Sequence, residues 1–359
     1  MHLGTAALLE FYSRHRDDDA LVLATITSTE GSTYRKPGAM MLIASDDTYE
    51  GLISGGCLEG DLLAHAAEVF SQGKPKRVVY DMHSDEDLVW GLGIGCDGII
   101  ELLLTRLNHD QHNELLGGIS RSLDRRNPVC LALVTESNDP PLPVGSLAAL
   151  DESGRKMGHE TLLQLMVAIN DWPGGRYSQV NRAGVEFSLV NLEPRPRLLL
   201  CGGGPDARPL AQQAGLLGWD CVVVDHRATY ACAERFPAKT EVILCRPEAL
   251  QEMVTLTEVD AAVIMSHHLE SDAKYLQQLA PIAEQGALRY LGVLGPVARR
   301  NRLREMAECP DVLVHGPVGL DIGAELPEAI ALSVAAEIHA VLNQRDGQSL
   351  TTGPVGDVS

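Results

Sequence analysis

Residues 198–225 constrain this chain more than any other stretch. Leu198-Leu199-Leu200-Cys201 is a short apolar run, Gly202-Gly203-Gly204-Pro205-Asp206-Ala207 turns it, and a second run, Cys221-Val222-Val223-Val224, ends in Asp225. The order is strand, G-x-G-x-x-A turn, helix, strand, acid. The acid falls about twenty residues after the turn, as a dinucleotide-binding unit requires. Further apolar runs at 241–245, 261–265, 290–294 and 312–315 alternate with helical segments, which predicts a Rossmann-like, doubly wound parallel sheet. Pro327 opens a final helix to about Leu342, a position where proline is tolerated. Gly202 and Gly204 let the backbone approach a pyrophosphate seated on the helix N-terminus. Asp225 is placed to accept hydrogen bonds from a ribose, and Arg227 to face a phosphate. An acid beside a 2′-phosphate is unfavourable, so NADP is not inferred. The competing reading is a Rossmann-shaped domain that binds no dinucleotide, because a fold does not fix its ligand.

That unit begins late, so a second domain must fill residues 1–193. Its patterning predicts a mixed α/β fold. A helix over Thr5–His15 is followed by strands at Ala20–Thr27, Ala39–Ala44 and Thr48–Ile53. Next come a helix of about Cys57–Gln72, strands at Arg77–Tyr80 and Gly98–Leu104, and a helix at Asp110–Asp124. Cys130–Thr135 and Gly184–Val190 read as two more strands around a loop-rich segment that opens with Pro140-Pro141-Leu142-Pro143. Glu193-Pro194-Arg195-Pro196 makes a stiff connector, which gives domains of 1–193 and 194–345. The Gly/Ser/Thr-rich tail 346–359 is expected to be disordered. No internal repeat is legible.

The chain has 359 residues, with 29 Lys and Arg against 49 Asp and Glu, a net charge of −20. That balance argues against nucleic acid and anionic membranes as partners, since both reward basic residues. No run approaches the roughly 20 apolar residues of a membrane helix. The N-terminus lacks a basic-then-apolar signal, so a cytoplasmic protein is expected. None of the eight cysteines forms a C-x-x-C pair, which disfavours structural zinc. Cys130, Cys201, Cys221 and Cys245 lie in apolar runs and read as buried small hydrophobes.

Two other cysteines are presented differently. Ser54-Gly55-Gly56-Cys57-Leu58-Glu59 joins a strand to a helix, where backbone N–H groups of Gly55 and Gly56 and the helix dipole would form an anion site. Cys57 in the first helical turn would be more thiolate than usual. Glu59 would face that site or close the helix as a capping acid. Cys96 follows Gly95 in a glycine-rich run from Gly91 to Gly98, and glycines let backbone approach a ligand closely. The pair suggests an anionic, sulfur-handling site, with Arg35 and Lys36 of a nearby loop supplying positive charge. In the second domain Ser266-His267-His268 ends one strand and Asp321 follows another, so His267 and Asp321 face the ligand crevice of such a sheet.

Together these motifs resemble the XdhC/CoxI family of accessory proteins for maturing xanthine dehydrogenase and carbon monoxide dehydrogenase. The N-terminal signatures are Gly31-Ser32-Thr33 with Arg35 and Gly38-Ala39, then Gly55-Gly56-Cys57-Leu58-Glu59, then Gly93-Ile94-Gly95-Cys96 with Gly98. The C-terminal ones are the glycine turn with Asp225-His226-Arg227, then Ser266-His267 with Asp272, Gly292-Val293-Leu294-Gly295, and Gly319-Leu320-Asp321-Ile322-Gly323-Ala324 with Pro327. Pro296, Leu326 and Asp97 depart from the usual pattern. The resemblance implies a chaperone rather than an enzyme. Such a protein binds the molybdenum cofactor (molybdopterin), protects it and delivers it to a molybdenum hydroxylase client, with a cysteine desulfurase as a further partner. It implies that Cys57 and Cys96 would be molybdenum-proximal thiolates. The alternative is an NAD(P)- or FAD-dependent oxidoreductase using the Rossmann turn. A homodimer is expected on general grounds.

Overall fold

Helix α1 (Leu3–Arg14) leads into a meander of β1 (Ala20–Gly31), β2 (Met40–Ile43) and β3 (Tyr49–Gly51). Helix α2 (Glu59–Gln72) and strands β4 (Lys76–Asp81) and β5 (Gly98–Asn108) follow. The strands form one antiparallel sheet in the order β3-β2-β1-β5-β4. In this computed structural model the described residues are 3–82, 98–169 and 175–351. The chain divides after Pro194 into two units.

The rest of the first unit repeats the same plan. Helix α3 (His109–Asp124) precedes β6 (Val129–Ser137), β7 (Leu147–Asp151) and β8 (Lys156–Gly158). Helix α4 (Glu160–Val167) and strands β9 (Tyr177–Arg182) and β10 (Val185–Leu192) complete it. Sheet order is β8-β7-β6-β10-β9, which matches the first sheet strand for strand. The expectation of no internal repeat is therefore corrected. The segment read as loop-rich holds β7, β8, α4 and β9. Pro140, Pro141 and Pro143 occupy the approach to β7, and Ala148-Ala149 gives a strand without the β-branched or aromatic residues that normally mark one.

The two copies agree in detail. Each first strand bulges opposite its long partner: Ile26 and Ser28 face Leu102 and Glu101, while Val134 and Glu136 face Phe187 and Glu186. The extra residue is a threonine both times. Thr27 Oγ1 donates to Glu101 O at 3.3 Å, and Thr135 Oγ1 donates to Glu186 O at 3.2 Å. Each meander also ends on a left-handed glycine where only a hydrogen fits. A Cβ on Gly51 would lie 2.4 Å from Met40 O, and one on Gly158 2.6 Å from Leu147 O. Alternating side chains give each sheet two buried faces. Leu21, Leu23, Leu42, Leu103 and Leu107 of the first sheet share a core with Leu131, Leu133, Ala149 and Leu192 of the second, closed by Phe11 of α1 and Ile119 of α3. The opposite faces are covered by Leu62 and Val69 of α2 and by Leu162 and Met166 of α4.

The second unit is built on β11 (Arg197–Cys201), α5 (Ala207–Leu216), β12 (Asp220–Asp225), β13 (Glu241–Leu244), the short α6 (Leu250–Met253) and β14 (Ala261–Ile264). Helix α7 (Leu269–Glu284), β15 (Tyr290–Val293), α8 (Val297–Met306) and α9 (Pro327–Leu342) follow. The sheet is wholly parallel, ordered β13-β12-β11-β14-β15, with the reversal of direction at β11. This is the expected Rossmann-like arrangement, and its strands β11, β12, β14 and β15 are buried on both faces, with β13 the more exposed edge. The run 312–315 forms only a single bridge, Gly292 to His315. Pro310 before it and Pro317 after it leave no room for a ladder. Residues 352–359 of the tail lie outside the described residues.

Candidate functional site

The first unit gathers its motif-bearing loops at one end of the first sheet. Gly31 pairs with Gly98, Asp81 with Ile99, Thr25 with Met40 and Met41 with Gly51. The ends of β1, β3 and β4 and the starts of β2 and β5 therefore coincide. Loops 32–39 and 52–58 leave from that end. They touch: the Tyr34 ring lies 3.6 Å from where a Cβ on Gly55 would sit. Gly95 and Cys96 lie outside the described residues.

The polar groups of loop 52–58 are organised inward. Glu59 is 2% exposed. Its Oε1 accepts from Ile53 N at 3.0 Å and Ser54 N at 2.9 Å, and its Oε2 from Ser54 Oγ at 2.7 Å and Gly56 N at 3.0 Å. Ser54 Oγ in turn accepts from Cys57 N at 3.1 Å and Leu58 N at 2.8 Å. Burial pushes the Glu59 carboxyl up, and the hydrogen bonds from Ser54 and Ile53 outweigh it and hold it below the usual carboxylate range. The anion site expected from these N–H groups is thus filled by the chain's own acceptors. Glu59 is a staple of the loop, and Gly56 gives its N–H to that staple. Gly55 and Gly56 both have positive φ, which lets the loop fold back over the carboxylate.

What the staple leaves outside is Cys57, which is exposed, together with the half-buried Arg35. Burial, and next the charge of Arg35, hold the Arg176 guanidinium below its ordinary value, so two cations share this neighbourhood. Tyr177 follows Arg176 and supports the loop from below. Its hydroxyl donates to Thr27 O, and its ring lies 3.1 Å from a Cβ placed on Gly38. Sequence reasoning gave Arg176 and Tyr177 no role, because they come from the other copy. Cys201, Cys221, Cys245 and Cys309 are buried, Cys130 is largely so, and the Cys232 thiol donates to Glu234. Burial pushes Cys130 and Cys221 up to about 12 and raises Cys201 as well. Thiol alkylation of native protein at pH 7 is therefore expected to label Cys57 well before Cys201, Cys221, Cys245 and Cys309. Equal labelling of all five would show that loop 52–58 shields its cysteine.

In the second unit the glycine turn lies at the carboxyl end of β11. Gly202 has φ +129°, and a Cβ there would fall 2.6 Å from Met265 C and Ser266 N. A Cβ on Gly203 would meet Tyr230 O at 2.6 Å, whereas at Gly204 the nearest atom is His267 Cδ2 at 4.0 Å. Only Gly204 therefore faces open space. Gly204→Ala is expected to fold normally and Gly203→Ala to lower the melting temperature by several degrees; thermal unfolding of the two variants checks the order.

Asp225 corrects the reading most. It is wholly buried, and both of its oxygens are held by the protein. Oδ1 accepts from Arg227 N and Nε, each at 2.9 Å, while Oδ2 accepts from Gly203 N at 2.9 Å and Arg227 Nη2 at 2.7 Å. The carboxylate expected to receive a ribose thus receives a guanidinium fork. Arg227 also lies 4.1 Å over the Tyr230 ring and Arg235 4.8 Å from the same centroid.

His267 stays at the mouth of the turn. It is left-handed, at φ +63°, and its Nε2 is 3.0 Å from Asp206 Oδ2. Asp206 precedes α5 without capping it, which marks this pair as a polar group beside Gly204. An acid at a helix start is legible in sequence; its pairing with a residue on another loop is not. Ser266 and Arg299 bind the buried Asp272, with the Arg299 pair at 2.6 Å, and thereby fix the loop carrying His267. His268 caps α7 instead of facing the crevice. Asp321 is exposed, with no hydrogen bond or ion pair to a described residue. Among the described residues no cluster of three or more His, Cys, Asp or Glu is arranged to hold a metal, and no helix is long and apolar enough to cross a membrane.

Residues 198–338 match the family described as the XdhC Rossmann domain, and residues 15–81 match the XdhC and CoxI family. The chain is 33% identical to a Bacillus subtilis protein described as a probable xanthine dehydrogenase subunit, over 94% of this chain and 96% of that protein. It is 27% identical to the molybdenum cofactor insertion chaperone PaoD of Escherichia coli, over 92% of this chain and 86% of the relative. Among solved structures, one described as a xanthine dehydrogenase from Bacillus halodurans superposes with a TM-score of 0.77 at 32% identity, covering 98% of both chains.

Proposed function

The chain belongs to the XdhC and CoxI family, and from that premise we propose that it binds the molybdenum cofactor and hands it to a xanthine dehydrogenase-type molybdenum hydroxylase, without turning over a substrate of its own. The observation that supports this reading is that neighbouring loops at one end of the first sheet carry an exposed Cys57 and the cation Arg35, whose charge also reaches Arg176. A soft sulfur ligand and a pair of cations suit a ligand that joins a metal dithiolene to a phosphate. The residues present fit such a group. The molybdenum chemistry belongs to the cofactor and its client. The residues of this chain hold, orient and shield: Arg35 takes the phosphate end, Cys57 stands near the metal end, and the Glu59 staple holds the loop that presents Cys57. The chaperone PaoD, similar over most of both chains, supports the same assignment. A cysteine desulfurase partner and a homodimer belong to this proposal too.

An oxidoreductase reading would use Asp225 for the ribose of NAD(P) or FAD, and Arg227 occupies both carboxylate oxygens. Within the second unit, Gly204 with the His267–Asp206 pair beside it leaves the turn open to a nucleotide. The deciding experiment co-expresses the chain with a molybdenum cofactor pathway, then measures oxidised pterin released on denaturation and the activity of a client hydroxylase with and without the chain. Bound pterin and a several-fold rise in client activity are expected, with Cys57→Ser retaining less pterin at unchanged melting temperature. Protein free of pterin that leaves the client unchanged, yet oxidises or reduces a nicotinamide, would overturn the proposal.

A further inference from the structure

We infer that the first unit is a duplicated module in which only the first copy supplies the thiol and the loop charge of a ligand site, Cys57 and Arg35, so that each chain holds one cofactor there and not two; the identity of the ligand rests on the function proposed above. The backbone makes the two copies comparable residue by residue. Gly38 N donates to Ile26 O and Ala39 N to Lys36 O, while Gly145 N donates to Val134 O and Ser146 N to Pro143 O. Arg35 therefore stands where Leu142 stands in the second copy. Both glycines have φ +84°, and each is covered by the other copy: Gly38 by Tyr177 and Val190, Gly145 by Pro75 and Thr105. Those covering residues occupy equivalent strand positions, as expected for two copies related by a local two-fold axis.

The copies differ in how that end of the sheet is closed. In the second copy Leu142 is fully buried in the core beneath α4, so its loop serves packing. The chain then passes from β8 to α4 through His159 alone. In the first copy residues 52–58 intervene, and Ile53 and Leu58, 0% and 3% exposed, enter the corresponding core beneath α2. With the end plugged from that side, loop 32–38 is released from core duty. Its tip carries Tyr34, 59% exposed, with Arg35 and Lys36, in place of Pro141, Leu142 and Pro143. The insertion thus does two things: it presents Cys57, and it frees position 35 for a charge. The second copy has neither: Leu142 stands at the place of Arg35, and no segment like 52–58 precedes α4.

Pterin per chain in co-expressed full-length protein tests this, with two variants alongside. Wild type is expected to carry close to one pterin per chain at saturation. Arg35→Leu, which gives the first copy the second copy's residue, is expected to lower pterin at least tenfold with the melting temperature unchanged. Leu142→Ala is expected to lower the melting temperature while pterin per folded chain stays the same. Two pterins per chain, or pterin lost with Leu142→Ala and kept with Arg35→Leu, would overturn the inference. If wild type carries no pterin, the proposed function fails first, and the duplication is read from stability. Gly51→Ala and Gly158→Ala occupy matched positions and are expected to lower the melting temperature by similar amounts. A large drop from one and none from the other would overturn the equivalence.

Discussion

Arg227→Ala is expected to destabilise the second unit by about 3 kcal/mol, the low end of the cost of breaking a buried ion pair by removing one partner. The low end applies because the Arg227 side chain is 35% exposed and water screens it, while Asp225 is not exposed at all. Without the guanidinium, Asp225 keeps two backbone donors, Gly203 N and Arg227 N, for a carboxylate shut away from solvent. Asp225→Asn is expected to cost less, because it removes the buried charge itself. The double variant should be more stable than Arg227→Ala alone. Urea unfolding of the three proteins gives the order, and a double variant that is the least stable would refute the argument. The pH dependence follows from the direction of the shift. Burial raises the Asp225 carboxyl, and the hydrogen bonds from Arg227 and Gly203 outweigh it, leaving the folded value below the usual one. Its stabilisation is therefore full above the unfolded value of about 4 and is lost as pH falls through the folded value. The gap between wild type and Asp225→Asn should close on acidification.

Glu59→Ala is expected to cost the first unit about 2–4 kcal/mol, since Ile53 N, Ser54 N, Ser54 Oγ and Gly56 N lose their acceptor together and those nearest the core do not regain water. The loss should extend beyond stability, because Cys57 N donates to Ser54 Oγ, which is part of the same staple. Pterin retention is expected to fall with it, unlike in Cys57→Ser, where only retention falls. Glu59→Gln should lie between the two, as its amide brings a donor among donors. Thermal unfolding with pterin analysis on the same samples separates these outcomes. A Glu59→Ala protein that melts like wild type would mean the loop is held by Ile53 and Leu58 alone. As with Asp225, this contribution is lost as pH falls through the depressed folded value of the acid.

Asp225 and Glu59 show what kind of information a motif holds. Each stands where a ligand-binding acid belongs, and each is turned inward onto backbone donors a few residues away and, for Asp225, onto a guanidinium. The motif gives the residue type and its place on the chain. Which of two acceptors, ligand or loop, takes the donors depends on distances of a few tenths of an ångström after the loop has folded. The open and closed glycines divide the same way: Gly203 and Gly204 are adjacent and chemically identical, and Tyr230 from another loop decides which of them faces space.

By itself the sequence determined the parallel sheet of the second unit, its glycine turn, the bounds of α9 and the run of strands and helices through β5. These follow from hydrophobic period, from glycine and proline as punctuation, and from chain order, all of them local quantities. Only the tertiary structure decided that the first unit is built twice. Few residues coincide between copies (among them Leu23 and Leu131, Thr27 and Thr135, Gly38 and Gly145, Gly51 and Gly158, Glu101 and Glu186, Leu107 and Leu192), and connectors of different length shift the offset between them along the chain. A fold fixes strand order, register and the places where a Cβ cannot fit, and leaves most side chains free to change so long as volume and pattern are kept. Duplication therefore survives in hydrogen bonds and glycines after it has faded from the sequence, and with it the reason that Arg35 is charged while Leu142 is buried.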